Sequence, residues 1–338
     1  MTTPSPTPRS GRAALRIVSL LLLIVHLGGM SAAPVLGSDE PLAGPLRIYT
    51  SVTQETVDAI LDGFRAAHPD VDVEVLRAPT GELAGRIAAE LRDGRILADV
   101  LWLTDPLSMQ GYAEQGLLRE WQPEAAADLP EAYRATSFWG TRVLNVVIVR
   151  GESVVPGPTS WADLADPAYA GAVAIMDPGL AGSAFGALAW FLEQPDLGIA
   201  WFEALRDNGA VQVGTPGDVL SGVAEGRFAA GMTLAWTART AAEKGSPVEL
   251  VWPTDGAIAV DSPVGVIETS EALPAAEAFV EFVLGEDGQV LIGESGWQTV
   301  RSDAGGPQPG GPQVQPDWQE AYGRQAELLE QYRAIFGG

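Results

Sequence analysis

The chain carries few side chains suited to covalent chemistry. It has no cysteine, which removes thiol nucleophiles, disulfides and cysteine metal sites. Its two histidines, His26 and His68, stand far apart, and no convincing pair of carboxylates marks an acid–base couple. The residues that could bind are of another kind. Gly182-Ser183-Ala184 opens a helical pattern after a strand and a Pro-Gly turn. Free backbone N–H groups at such a start, a hydroxyl and the helix dipole together make a seat for an anion. The same residues also suit the ordinary cap of a buried helix. Ser183 is no nucleophile elbow, because Ala181 and Phe185 stand where Gly-x-Ser-x-Gly needs glycine. Ser51 and Thr53, Thr80 and Gly81, and Asp105 fall at three successive strand ends, where such residues cap helices, turn the chain or face a ligand.

These positions need elements to hold them. Leu46–Ser51 alternates apolar and polar and reads as a strand. Thr53 can cap the helix that follows, whose Val57, Ile60, Leu61 and Phe64 keep helical spacing until His68-Pro69 ends it. His68 reads as a surface residue at that helix end. Val71–Val75 is a period-two strand, Thr80-Gly81-Glu82 opens a second helix through Arg95, and Ala98–Leu103 is a buried strand. The β-α-β-α-β order predicts a parallel sheet with crossover helices. Strands are expected again at 141–149, 172–176, 229–235, 248–252 and 257–267. Helices are expected at 183–192, 198–208, 237–244, 274–284, 288–293 and, as one closing amphipathic helix, 318–336.

Composition narrows the classes. Residues 1–16 hold Arg9, Arg12 and Arg16 without an acid, an apolar run follows from Ile17 to Val25, and Ser31-Ala32-Ala33 offers a cleavage site. That is the pattern of a secretory signal over residues 1–33, with an uncleaved anchor as the other reading. The expectation is export to a periplasm. The formal charge of the whole chain is −24. Removing the three signal arginines takes it to −27 (−24 less 3). Nucleic acid and anionic membrane surfaces are poor partners for such a chain. The stretch 301–316 is rich in Gly, Pro and Gln and reads as a linker.

With these stretches in place, the sequence resembles the two-lobed, type 2 solute-binding proteins of ABC importers, in the branch of ferric-iron, phosphonate and sugar-phosphate binders. The likeness rests on Leu46–Ser51, Thr80-Gly81-Glu82-Leu83, Ala98–Trp102, Thr159–Leu164, Asp177-Pro178 with Gly182-Ser183, Ala224-Glu225-Gly226, Pro247–Leu250 and Asp317-Trp318, in that order. The resemblance implies an α/β clamshell, each lobe a mixed, mostly parallel sheet flanked by helices. Lobe 1 would hold 46–140 and 256–300, lobe 2 would hold 141–255, and a C-terminal helix would occupy 317–338. It implies a monomeric, non-enzymatic receptor without a cofactor, handing a small solute to a permease with its ATPase. The strand tips would face the cleft. Arg142 would match a crossover arginine, contacting an anion or forming an interlobe salt bridge.

The sequence departs from the ferric pattern. Where ferric relatives carry consecutive tyrosines, this chain reads Ala235-Trp236-Thr237, and near the first strand tip it has Ser51-Val52-Thr53 in place of a histidine. Trp236 could stack on an organic ligand or fill a core. A tetrapyrrole-synthesis enzyme shares the general fold, but its cofactor attaches through cysteine. The expected solute is therefore a small anionic or zwitterionic organic compound, phosphonate-like or sugar-phosphate-like. A ferric receptor and a sensor module for a membrane receptor are the alternatives. The expected ligand contacts are Ser51, Thr53, Thr80, Gly81, Asp105, Arg142, Gly182, Ser183, Ala184, Trp236 and Thr237, with no metal site.

Overall fold

The computed structural model describes residues 42–337. The expected signal segment lies outside the described residues. The first unit follows the expected alternation: β1 (Gly44–Thr50), α1 (Gln54–Ala67), β2 (Val71–Arg77), α2 (Thr80–Arg92), β3 (Val100–Trp102) and α3 (Pro106–Glu114). Val57, Ile60, Leu61 and Phe64 of α1 are buried, and Phe64 meets Phe279 edge to face at 5.3 Å. His68 ends α1 and packs on Phe64 with ring centroids 4.8 Å apart. The sequence reading left out α3. Asp105 caps it by accepting from the Ser108 N–H at 2.6 Å, and Pro106 stands at its start.

The chain then enters β4 (Trp139–Gly151), a 13-residue strand that is buried almost throughout. The second group of elements is β5 (Val173–Met176), α4 (Gly182–Glu193), α5 (Gly198–Asp207), β6 (Val211–Val213), α6 (Pro216–Ala224), β7 (Ala230–Leu234), α7 (Ala235–Glu243) and β8 (Val248–Val251). The chain returns through β9 (Ala257–Val266) to α8 (Leu273–Leu284), α9 (Glu286–Glu294) and β10 (Gln298–Thr299).

The main strand order is β2-β1-β3-β9-β4-β7-β5-β6. β1 runs parallel to β2 and β3, while β5 runs parallel to β6 and β7. Between these parallel groups lie β9 and β4, antiparallel to each other and to their neighbours β3 and β7. The architecture is the two-lobed periplasmic-binding-protein fold, in which β9 and β4 lie paired between the two parallel groups of strands. Their pairing slips between Gly140 and Val143, so that Val143 faces Asp261. Such a bulge bends the strand and re-aims its side chains, and Arg142 belongs to this irregular stretch.

The last segment differs from its sequence reading. Within 301–316, β11 (Gln313–Val314) pairs in parallel with β9, and Gly310 and Gly311 pack closely on the Trp252 ring. The expected closing helix is two pieces, α10 (Trp318–Ala321) and α11 (Gln325–Phe336). Gly323 divides them with φ +81, a left-handed conformation that favours glycine. α11 binds back through Tyr332, whose hydroxyl donates to Gln212 at 2.9 Å. Among the described residues no helix is long and apolar enough to cross a membrane.

Candidate functional site

A cavity of about 350 Å³ opens at the carboxyl ends of the strands. Ser51 and Thr53 line it after β1, residues 77–80 before α2, and Thr104 after β3. Residues 180–183 enter from the start of α4, residues 214–217 from the start of α6, and Leu234, Trp236 and Thr237 from the start of α7. Arg142 of β4 and Trp297 before β10 complete the wall. Five helix N-termini, those of α1, α2, α4, α6 and α7, therefore converge on one space. Of these, α6 alone has a side-chain cap, the Thr215 hydroxyl accepting from the Asp218 N–H at 3.2 Å. Thr53 precedes α1 as expected, but its hydroxyl pairs with that of Thr56 at 2.9 Å instead of capping.

One wall is made of hydroxyls. The Thr80 hydroxyl donates to Ser51 Oγ at 2.9 Å, and Thr104 Oγ1 lies 3.1 Å from both Ser51 Oγ and Thr80 Oγ1. Each oxygen finds its partner inside the triangle, so the wall is polar, neutral and satisfied without a ligand.

The other wall is cationic and aromatic. Arg142 is 1% exposed, and its guanidinium lies over the Trp297 ring at 4.0 Å. Trp297 in turn stacks on Trp236 with centroids 5.0 Å apart and planes 9° from parallel. Thr56 anchors the group, accepting from Trp297 Nε1 at 2.9 Å and from Arg142 Nη1 at 3.4 Å. Both lone pairs of the Thr56 oxygen are then taken, which sends its own proton to Thr53 Oγ1. Trp236 is held by its Nε1 donating to the Ser295 carbonyl at 2.7 Å.

Arg142 is poorly compensated. Its Nε is buried without a hydrogen-bond partner, and among the described residues it forms no ion pair. The salt-bridge reading of this residue is thereby corrected. Burial pushes its pKa down to about 9, so it stays charged at neutral pH. No Asp, Glu, Tyr or His is among the lining residues, in a chain with 44 acids. A second arginine, Arg77, lines the cavity and donates its Nε to the Val52 carbonyl at 2.7 Å.

Eight of the expected contacts line this space: Ser51, Thr53 and Thr80 on one side, Arg142 between, and Gly182, Ser183, Trp236 and Thr237 beyond. Three expected contacts stand outside it. Gly81 is pressed against the 179–180 turn and donates its N–H to the Leu180 carbonyl at 3.1 Å. Ala184 is buried one residue deeper into α4, its N–H bonded to the Ala181 carbonyl. Asp105 is fully buried behind the hydroxyl wall as the cap of α3. Its Oδ2 has no partner, and burial pushes its pKa up to about 7. Arg77, Thr104, Thr215 and Trp297 line the cavity without having been singled out in the sequence. Arg77 and Thr104 end or follow predicted strands, a signal that could have found them. Trp297 carried no such signal, since it follows a helix far along the chain.

Comparison with known proteins agrees with this architecture. A family model described as bacterial extracellular solute-binding protein matches residues 46–298. An uncharacterized protein of Haemophilus influenzae is 26% identical over 295 residues, 81% of this chain and 82% of that one. Among solved structures, AfuA of Actinobacillus pleuropneumoniae with exogenous fructose-6-phosphate bound is similar at TM-score 0.78 and 20% identity, covering 87% of this chain and 99% of that one. Iron-bound HitA of Pseudomonas aeruginosa is similar at TM-score 0.75 and 21% identity, covering 86% and 99%. The family match spans most of the chain, and the chain belongs to the bacterial extracellular solute-binding proteins, a family that works with an ABC permease and ATPase.

Proposed function

We propose, from that membership, that this protein is the periplasmic receptor of an ABC importer and captures a small anionic or zwitterionic organic solute, phosphonate-like or sugar-phosphate-like, between its lobes. The observation that carries the reading is Arg142. A buried guanidinium with an unpartnered Nε and, among the described residues, no ion pair faces a cavity lined by no carboxylate. A charge held out of water is costly until something neutralises it, and an anion in this cavity would do so. Uncapped helix starts add N–H donors and dipoles of the same sign preference. Trp236 and Trp297 offer a flat wall to an organic frame, and the hydroxyl triangle offers partners to ligand hydroxyls.

Ferric ion is a poorer fit. HitA is iron-bound, yet the donor set here holds no phenolate, carboxylate or imidazole, only hydroxyls and nitrogen cations. Ferric ion, a hard trication, is held best by anionic oxygen ligands, which this donor set does not offer.

Thermal melting with a panel of phosphonates, sugar phosphates, neutral sugars and ferric citrate tests the reading. The expected result is a rise in Tm with phosphorylated or phosphonate compounds and none with the neutral sugars, since a ligand that binds only the folded state stabilises it. A rise with iron alone would overturn it.

A further inference from the structure

Arg77 deserves a role of its own. It ends β2, the edge strand of the sheet, whereas Arg142 lies on the central strand β4. Its Nε is fixed on the Val52 carbonyl, one residue before the Thr53 that precedes α1. Arg142 reaches the same helix from the other side, at Thr56 in its first turn. Two guanidiniums thus bracket the start of one helix, whose N-cap hydroxyl is engaged elsewhere.

Several surface arginines meet acids, as Arg47 does with Glu74 at 2.8 Å and Arg119 with Glu277 at 2.7 Å, while others, such as Arg65 and Arg92, stand in open solvent away from the cavity. Arg77 forms no ion pair among the described residues, and no acid lines the cavity into which it projects. With Nε held, its two terminal nitrogens are left as a fork without protein partners among the described residues.

We infer that Arg77 is a specificity-determining contact, which makes the cavity prefer a dianionic solute to a monoanionic one. The inference rests on the anion-binding reading above. One buried guanidinium balances one charge; the second, at the more open end of the site, is matched only by a further charge on the ligand. A monoanion leaves Arg77 to water at little cost because this side chain is exposed. The preference therefore comes from what Arg77 adds to a dianion, and it should weaken with salt, since an exposed charge is screened.

Calorimetry with two hydroxylated six-carbon anions at pH 8 tests this: fructose 6-phosphate, a dianion there, and gluconate, a monoanion. The wild type should bind fructose 6-phosphate about tenfold or more tightly than gluconate, the size of one charge-assisted hydrogen bond. Arg77→Gln should weaken the phosphate ester more than gluconate, so that the ratio collapses, and Arg77→Lys should restore part of it. Because Arg77 is exposed, melting of each variant without ligand checks that the fold is intact. Equal losses for both compounds, or no loss for either, would overturn the role of Arg77 while leaving the anion receptor standing. Failure of the wild type to bind either compound would overturn both.

Discussion

The two walls of the cleft are built on opposite electrostatic terms. Ser51, Thr80 and Thr104 close their hydrogen bonds among themselves at 2.9–3.1 Å. Arg142 is stacked on Trp297, touches Thr56 only at 3.4 Å, and keeps a buried Nε without a partner. The hydroxyl wall is complete by itself, whereas the arginine wall lacks a counter-charge. The difference separates two jobs. A satisfied wall can trade its internal bonds for ligand bonds with small net gain, so it orients. An unsatisfied buried cation gains most from a ligand, so it supplies affinity.

Substitutions on the two walls should therefore differ in size. The largest effect is expected from Arg142→Met, which removes the buried cation and keeps much of the packing on Trp297. Affinity for an anionic ligand should fall on the order of 100-fold or more, as for truncation of one member of a buried charge pair. Calorimetry checks it, and a fall no larger than that of a hydroxyl variant would erase the contrast between the walls.

A second test concerns how the walls meet. A Cβ on Gly182 would stand 2.5 Å from Asp105 Oδ2, 2.6 Å from Thr80 Oγ1 and 2.7 Å from Thr104 Oγ1. Gly182→Ala should wedge the start of α4 away from the hydroxyl wall. A cost of ~1–3 kcal/mol, the usual range for overpacking, should appear as weaker ligand binding and as a larger radius of gyration by X-ray scattering. An unchanged radius with unchanged affinity would show that the contact has room to relax.

The third concerns Asp105, behind the hydroxyl wall. Burial raises its folded pKa to about 7, above the ordinary value of 3.8. The folded state therefore holds this proton more tightly than the unfolded chain does. The benefit of protonation is fully present below the ordinary value and is lost as pH rises through about 7. Buried Asp261, also raised to about 7 and repelled by the charge of Asp105, works in the same direction. Asp105→Asn retains a good N-cap for α3 and removes the charge. It should stabilise the protein at pH 8 by ~1–2 kcal/mol, the scale of an unpaired buried polar group, and much less at pH 5. Thermal melting at both values checks the sign.

The smallest effect belongs to Thr104→Val, which opens the hydroxyl triangle. A loss of ~1 kcal/mol in ligand binding is expected, the worth of one neutral hydrogen bond. Calorimetry against the wild type measures it, and a loss as large as that of Arg142→Met would invert the roles of the walls.

Local patterns carried far in this chain where one element decided the outcome. Period located β1, α1, β2 and α2, because each buries a face whose spacing is written in neighbouring residues. The strand ends followed from them, and with them Ser51, Thr53 and Thr80. The misreadings share another cause. α3 is short and only weakly amphipathic, so its start is marked mainly by Asp105 and Pro106. The Gly- and Pro-rich stretch 301–316 looked like a free linker because its partners, β9 and Trp252, lie far earlier in the chain. Gly81 and Asp105 sit at the right strand ends but spend themselves on packing and capping.

The sequence by itself determined the α/β alternation, the two groups of elements and the absence of thiol chemistry. It also marked Ser183 and the first strand tips, since these depend on residues close in the chain. Only the tertiary structure decided that Arg142 has no acid paired with it among the described residues, that Trp297 and Trp236 stack, and that Arg77 and Arg142 bracket the same helix. Those facts depend on which of 44 acids come near a given arginine. Charge compensation is a property of distance in space, which the packing of residues far apart in the chain sets.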